Sequence, residues 1–159
     1  MRSAGIVAIV AALLLAGPAG AAPFKIYTQW KGAAMPLDIF NGGKFNNFAH
    51  LAPAANVSGQ AWSLRAESGD SFRLTTEFRG TDMCLDVVNG GKLDGYVGLR
   101  PCGNFSGQYW TVRHDGEWLR LGTQFRDTLC LDVTNGGPLD GMAHLVACGD
   151  FSGQHWKME

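Results

Sequence analysis

Residues 83–113 read MCLDVVNGGKLDGYVGLRPCGNFSGQYWTVR, and this stretch recurs twice more in the chain without a gap. The matching segments are MPLDIFNGGKFNNFAHLAPAANVSGQAWSLR at 35–65 and LCLDVTNGGPLDGMAHLVACGDFSGQHWKME at 129–159. The motifs L-D-x-x-N-G-G and S-G-Q-x-W stand in register in all three copies. A unit that repeats at offsets of 48 and 46 residues predicts a repeat architecture.

The first 21 residues differ from the rest of the chain. Arg2 precedes an uncharged apolar run at 4–17, and small residues that include Ala19 and Ala21 follow. This order is typical of a secretory signal peptide with an A-x-A cleavage site, and the apolar run is shorter than the ~20 residues that span a bilayer. We therefore predict a signal peptide at 1–21, a secreted domain at 22–159 in the extracellular space or the periplasm, and no membrane span.

An upstream strand completes each unit. Around Phe24, Phe72 and Leu119, apolar side chains alternate with polar ones, which is the period-2 pattern of a half-buried strand. The N-G-G triplets are typical of tight hairpin turns. Thirteen of the 19 glycines in 22–159 fall at repeat-matched positions, so the glycine excess is turn chemistry. Each unit is therefore predicted to hold about four strands, and the approximate bounds of the units are 24–65, 72–113 and 119–159.

Three such units predict an all-β domain with pseudo-threefold symmetry. Propellers need four to eight blades, and three units cannot close such a ring. Twelve short strands in three units of about 46 residues suit a closed barrel with a hairpin cap, a β-trefoil, because closure removes exposed sheet edges. A hydrophobic fraction of 46% is enough to form a core. A net charge of −1 provides no basic face that could bind nucleic acid.

The four cysteines follow the repeat. Cys84 and Cys102 are 18 residues apart, as are Cys130 and Cys148, and the first unit lacks both members of the pair. Four cysteines allow three connectivities, and only pairing within units treats the copies alike. We therefore predict bridges Cys84–Cys102 and Cys130–Cys148, each contributing about 3 kcal/mol. Neither C-x2-C spacing nor clustered histidines support a zinc site, and we predict no metal or cofactor.

The sequence C-L-D-V, followed by a second Cys and then Q-x-W, resembles the ricin B-type lectin family, the (QxW)3 β-trefoils. The resemblance covers the whole of 22–159. It implies that the Gln and Trp of each Q-x-W are structural, with the indole in the threefold core and the Gln fixing nearby backbone. These residues are Gln60, Trp62, Gln108, Trp110, Gln154 and Trp156.

The resemblance also implies sugar binding, with one shallow pocket per unit and glycans as partners. The family's pocket aspartate matches Asp38, Asp86 and Asp132. Each lies between apolar neighbours and so points away from the core, where its carboxylate can accept charge-assisted hydrogen bonds from sugar hydroxyls. The alternative is that it caps the N-G-G turn, and both roles can hold at once. The other predicted ligand-binding residues are Asn41, Asn89, Asn135, His50, His144 and Tyr96.

The chain departs from the family's sugar-binding pattern at three matched positions. The position four residues before the second Cys is occupied by His50, Gly98 and His144 in the three repeats. Two before it, where a stacking ring is common, stand Ala52, Arg100 and Val146. The family's Asn before the Q-x-W Gln is replaced by Gly59, Gly107 and Gly153. A stacking ring is then expected only from Phe48 or Tyr96, with Met142 third, and a galactose specificity does not follow from the resemblance.

Enzyme functions have little support in the sequence. Gly69-Asp70-Ser71 echoes the nucleophile block of a hydrolase family, but a hairpin turn explains it, and the histidines show no nucleophile–base arrangement. We predict a carbohydrate-binding module that is not an enzyme. The alternatives are a protein-interaction trefoil, such as a toxin accessory subunit resembling the ricin-like subunits of cytolethal distending toxins, and a structural trefoil without sugar binding.

Overall fold

A computed structural model describes residues 22–159, so the predicted signal peptide at 1–21 lies outside the described residues. The described part consists of short strands and three single 3-10 turns, Ser58–Gln60, Ser106–Gln108 and Ser152–Gln154. Its strands are β1 Ile26–Thr28, β2 Leu37–Ile39, β3 Ala49–Leu51, β4 Trp62–Ala66, β5 Phe72–Thr76, β6 Met83–Val87, β7 Val97–Pro101, β8 Trp110–Asp115, β9 Trp118–Thr123, β10 Leu129–Val133, β11 Ala143–Ala147 and β12 Trp156–Met158.

Two strands from each repeat form a closed barrel. Six strands pair in the order β1-β12-β9-β8-β5-β4, and every pair is antiparallel. The two ends of this sheet meet at an antiparallel bridge between Phe24 and Trp62, whose backbone N–H groups donate to each other's carbonyls at 3.0 and 2.9 Å. The barrel therefore has no free edge in its first and last strands, as closure requires.

The remaining six strands form three hairpins, β2–β3, β6–β7 and β10–β11. The hairpins meet one another around the pseudo-threefold axis through single bridges that pair Phe48 with Gly98, His50 with Met142, and Tyr96 with His144. Leucine and valine side chains of the hairpins join the same buried cluster as those of the barrel strands. A six-stranded barrel and three hairpins on one core confirm the predicted all-β β-trefoil.

The three Q-x-W tryptophans form the centre of the core. Trp62, Trp110 and Trp156 are each 0% exposed. Each indole Nε1–H donates a hydrogen bond of 2.9 Å to a carbonyl of its own repeat's hairpin, at Leu37, Leu85 and Leu131 respectively. The polar edge of each buried ring is therefore satisfied, and each ring ties a barrel strand to the hairpin of the same repeat.

Two disulfides close the second and third hairpins. Cys84 bonds to Cys102 and Cys130 to Cys148, with Cα–Cα distances of 5.1 and 5.0 Å. Each bridge joins the first strand of a hairpin to the chain just after its second strand. The structure therefore contains the two pairings predicted from the repeat.

A shared turn connects the two strands of each hairpin. The backbone N–H of the first glycine in N-G-G donates to a side-chain oxygen four residues later, and the donor–acceptor distances are 2.6–2.7 Å. These acceptors are Asn46, Asp94 and Asp140. Asp38, Asp86 and Asp132 do not cap these turns, because their carboxylates accept hydrogen bonds from other groups. The alternative that these aspartates cap the N-G-G turns is therefore wrong.

Candidate functional site

Three aspartates occupy matched places on the outer face of the hairpins. Asp38, Asp86 and Asp132 lie on β2, β6 and β10, each between two buried apolar residues. Because side chains alternate along a strand, the flanking residues enter the core and each carboxylate lies half-buried at the surface.

Each carboxylate is held in one orientation by two hydrogen bonds. The Oδ1 atom accepts from the backbone N–H of the next residue, at 2.7 Å for Asp38, 2.8 Å for Asp86 and 2.7 Å for Asp132. The Oδ2 atom accepts from the Nε2 of the Q-x-W glutamine at 3.0–3.1 Å. Since a carboxylate has about four lone-pair sites, each oxygen retains capacity to accept from a ligand.

The glutamine of each repeat is saturated by hydrogen bonds. In the second repeat, Gln108 Nε2 also donates to the carbonyl of Pro101 at 3.0 Å, and its Oε1 accepts from the backbone N–H of Gly103 at 2.9 Å. The same contacts occur at Gln60 and Gln154. All three glutamines are buried, so each one fixes the loop after its hairpin and orients the aspartate of its own repeat.

A cation lies behind each glutamine, and the sequence analysis missed it. Lys25, Arg73 and Arg120 donate to the glutamine Oε1 at 3.1, 2.8 and 3.1 Å. Each also donates to a backbone carbonyl of the loop after the hairpin, at 2.6–2.8 Å. These cations occupy matched positions in the upstream alternating strands. A basic residue at the same position of all three repeats is the sequence signal from which they could have been predicted.

Arg73 is the most enclosed of the three cations. Its side chain is 8% exposed, and its Nε pairs with Glu67 at 2.8 Å. Its Nη2 donates to the hydroxyl of Tyr109 at 2.9 Å, and its guanidinium carbon lies 4.5 Å from the centre of that ring. A buried guanidinium with these partners is held rigidly. The carboxylate of Asp86 is therefore positioned by a fixed chain of hydrogen bonds that runs from Arg73 through Gln108.

The glycine before each glutamine faces the aspartate. A Cβ added to Gly107 would lie 2.6 Å from Oδ1 of Asp86, well inside van der Waals contact. Gly59 and Gly153 face Asp38 and Asp132 in the same way. A side chain at these positions would therefore require the carboxylate to shift, and each glycine leaves room for the aspartate in its present orientation.

An open cleft surrounds each aspartate. The clefts of the first, second and third repeats have volumes of about 600, 660 and 220 Å³. Each is closed on one side by a ring of the following repeat, Phe78, Phe125 or Trp30, and Trp30 of the first repeat serves the third. The predicted residues that line them are Asp38, Asn41 and His50 in the first, Asp86 and Asn89 in the second, and Asp132 and Asn135 in the third.

The apolar wall of the clefts comes from residues that the sequence analysis did not consider. Val57, Phe105 and Phe151 line the three clefts and are 46%, 58% and 59% exposed. They occupy matched positions just before S-G-Q, which is a signal visible in the alignment of the repeats. The expectation that a ring could come only from Phe48 or Tyr96 is wrong, because other rings line the clefts and neither of these two residues does.

Tyr96 and His144 lie away from the cleft walls. The two rings contact each other with centroids 5.0 Å apart, and the hydroxyl of Tyr96 is 3.0 Å from Oγ1 of Thr134. They form the seam between the second and third hairpins and are not among the residues that line a cleft.

His50 and His144 share a matched position but have different surroundings. His50 stacks on Phe40 with centroids 3.5 Å apart and lines the first cleft. Burial lowers the pKa of both histidines, and the nearby carboxylates of Asp38 and Asp132 oppose this effect. Both rings are therefore neutral at neutral pH, and His50 gives the first cleft no positive charge.

The Gly69-Asp70-Ser71 segment forms the turn between β4 and β5. The backbone N–H of Glu67 donates to the carbonyl of Ser71 at 2.9 Å. The hydroxyl of Ser71 is buried and accepts from Nε2 of Gln124 at 2.8 Å. Within 22–159 we find no cluster of three or more His, Cys, Asp or Glu side chains that could hold a metal ion.

Comparison with known proteins gives the family. Residues 34–156 match the family described as the ricin-type beta-trefoil lectin domain. The chain belongs to this family. No curated protein matches the sequence, and among the described residues no helix is long and apolar enough to cross a bilayer.

Solved structures share this ricin-type trefoil fold at low sequence identity. A mosquitocidal holotoxin matches with a TM-score of 0.73 and 13% identity over 86% of this chain, which spans only 17% of the toxin. ThreeFoil, a designed threefold-symmetric protein, matches with a TM-score of 0.71 and 21% identity, covering 85% of this chain and 96% of its own. The ricin B-like lectin of Macrolepiota procera, solved with lactose, matches with a TM-score of 0.62 and 19% identity. The match covers 86% of this chain and 93% of the lectin.

Proposed function

We propose that this ricin-type trefoil is a secreted carbohydrate-binding module with up to three shallow sugar sites. The observation that carries the proposal is a fixed carboxylate beside an exposed apolar wall, built three times by matched residues. Sugar rings present hydroxyls and an apolar C–H face, and a site with few oriented polar groups and an apolar lining suits such ligands. Asp38, Asp86 and Asp132 accept the hydroxyls as charge-assisted hydrogen bonds.

The three clefts are unequal in the proposal. The second offers the rings of Phe105 and Phe125, and the third offers those of Phe151 and Trp30. The first offers Phe40 and Phe78, but Val57 stands in it at the place of the exposed Phe105 and Phe151. We therefore expect the second and third clefts to contribute most of the affinity, and several weak sites together to give avidity for multivalent glycans.

Secretion is supported by two features of the chain. The segment at 1–21 has the layout of a signal peptide, and the domain contains two disulfides and no free cysteine among the described residues. Disulfides persist in oxidising compartments, so the proposal places the domain in the extracellular space or the periplasm.

A glycan array compares the mature wild type with the triple variant D38N/D86N/D132N. Asparagine keeps the shape and removes the charge, but its amide can accept only one of the two hydrogen bonds that hold the carboxylate. We therefore expect some loss of stability and the loss of the array signal. Thermal denaturation checks the fold of the variant. The proposal would be contradicted by a wild type that binds no glycan, or by a folded triple variant that binds as well as the wild type.

A protein partner is the second candidate. The exposure of Phe105 and Phe151 supports it, because exposed aromatic residues are enriched at protein interfaces. Affinity purification with wild type and with a F105S/F151S variant tests this candidate. A specific protein lost from the variant, combined with a blank glycan array, would favour it over sugar binding.

A further inference from the structure

The second cleft differs from the other two in charge at one matched position. Arg100 lines the second cleft, whereas the matched residues of the first and third repeats are Ala52 and Val146. The first and third clefts have one aspartate each and no Lys or Arg among their lining residues. The three repeats are therefore internal controls for the effect of this one cation.

Arg100 and Asp86 lie on the same face of their hairpin. In the register of β6 and β7, Asp86 is opposite Gly98 and Cys84 is opposite Arg100. Opposite residues of an antiparallel pair point to one side, and every second residue along a strand shares a face. Asp86 and Arg100 are thus diagonal neighbours, roughly 7–8 Å apart, a spacing that lets one ligand contact both groups.

The guanidinium of Arg100 is available to a ligand. Within residues 22–159 it has no hydrogen-bond or ion-pair partner, whereas Arg73, Arg79 and Arg126 all donate to nearby side chains. A guanidinium offers five N–H donors in a planar fork that matches a carboxylate or sulfate. The guanidinium of Arg100 is therefore an exposed donor group without a partner at the wall of the second cleft, and it is suited to bind an anion.

We propose that the second cleft binds an acidic glycan, with the anionic group of the sugar on Arg100 and neighbouring hydroxyls on Asp86. This inference rests on the proposed sugar-binding function and assigns a ligand class to one of its clefts. Phe105 and Phe125 face the apolar side of the ligand, while the chain Arg73–Gln108 keeps the Asp86 carboxylate turned towards the hydroxyls. The first and third clefts take neutral sugars.

The experiment uses ligand pairs that differ only in charge. Isothermal titration compares oligogalacturonate of two to four residues with its methyl-esterified form, and a 6-sulfated disaccharide with its unsulfated form. We expect the charged member of at least one pair to bind about tenfold more tightly, as a charge-assisted bidentate contact predicts. The two pairs distinguish a carboxylate from a sulfate.

Four variants assign the preference to this residue. R100A should lose about tenfold in affinity for the charged ligand and change the neutral one less than about twofold, while R100K should recover part of the loss because Lys lacks the planar fork. V146R should create the preference in the third cleft. K44A removes one positive charge from an exposed turn outside the clefts and should change nothing.

The outcomes separate this inference from the proposed function. Equal affinity for charged and neutral ligands, or a charge preference that survives R100A, would overturn the acidic-glycan site while leaving sugar binding intact. Failure of the wild type to bind either member of any pair, together with a blank glycan array, would overturn both. Melting curves of all four variants check that the substitutions leave the fold unchanged.

Discussion

The first and second repeats build the same aspartate site on different supports. The bond from the glutamine Nε2 to the aspartate is 3.0 Å in the first and 3.1 Å in the second. Behind it the first has Lys25 and no disulfide, whereas the second has the buried Arg73 and the Cys84–Cys102 bridge. The local Asp–Gln–backbone contacts therefore determine the orientation of the carboxylate, and the cation and the disulfide add stability.

The largest effect is expected where the two repeats are alike. Trp62→Ala and Trp110→Ala should each lower the free energy of unfolding by about 3–5 kcal/mol, because both rings are fully buried. Chemical denaturation measures both variants. Since the disulfide of the second repeat does not alter the core around the ring, the two losses should agree closely. A difference of more than about 2 kcal/mol between them would show that the repeats do not share one core.

The second prediction gives the first repeat the missing bridge. The N–H of Ala54 donates to the carbonyl of Ala34 at 2.9 Å, as that of Cys102 does to Asp82, so the backbones that carry the two pairs match. The double variant P36C/A54C should form a disulfide and gain up to about 3 kcal/mol of stability. Mass spectrometry verifies the bond and denaturation the gain. Each single variant is the control, and a bond that forms without any gain contradicts the prediction.

The third prediction exchanges the supporting cations. Arg73→Met removes the donor to Gln108, Gly103 and Tyr109 and should cost about 1–3 kcal/mol, the usual cost of unpaired buried polar groups. Arg73→Lys reproduces the arrangement of the first repeat and should cost less than half as much. Thermal denaturation ranks the variants, and equal losses for Met and Lys would show that the positive charge behind Gln108 is unimportant.

The smallest expected effect is a pH dependence that the second repeat lacks. His50 is replaced there by Gly98, and burial lowers the pKa of His50 and His144 in the folded protein. The unfolded chain therefore takes up protons first, near pH 6.5. Stability from this source is complete above that pH and falls as the pH drops through the folded-state pKa values. Between pH 7.5 and 5 the melting temperature of the wild type should fall further than that of H50Q/H144Q. An equal fall in both proteins, or a larger fall in the variant, would contradict the prediction.

Most of the fold could be predicted from the sequence because the repeat is explicit. Three aligned copies of L-D-x-x-N-G-G and S-G-Q-x-W determine the twelve strands, the hairpin turns and the pairing of Cys84 with Cys102. The neighbour of the glycine in S-G-Q could not be predicted, because the sequence shows the absence of a side chain but not the carboxylate that lies next to it.

The ring that closes each cleft from the following repeat could not be found by examining one repeat at a time. Phe125 belongs to the repeat after the one whose cleft it closes, so its neighbourhood depends on how the repeats pack. Arg73 occupies a polar position of the alternating strand around Phe72, and alternation along a strand does not show which outward residues are covered by a loop. These contacts are long-range, and they are the part of the site that only the structure supplies.

The most direct test of sugar binding at the aspartate clefts is an amide NMR titration with the strongest array ligand. The wild type should show its largest shift changes at Val87 and Phe105 in the second cleft and at Val133 and Phe151 in the third. The D86N variant should lose the changes of the second cleft and keep those of the third. Shift changes that arise elsewhere, or that are unaltered in D86N, would contradict the assignment of sugar binding to these aspartates.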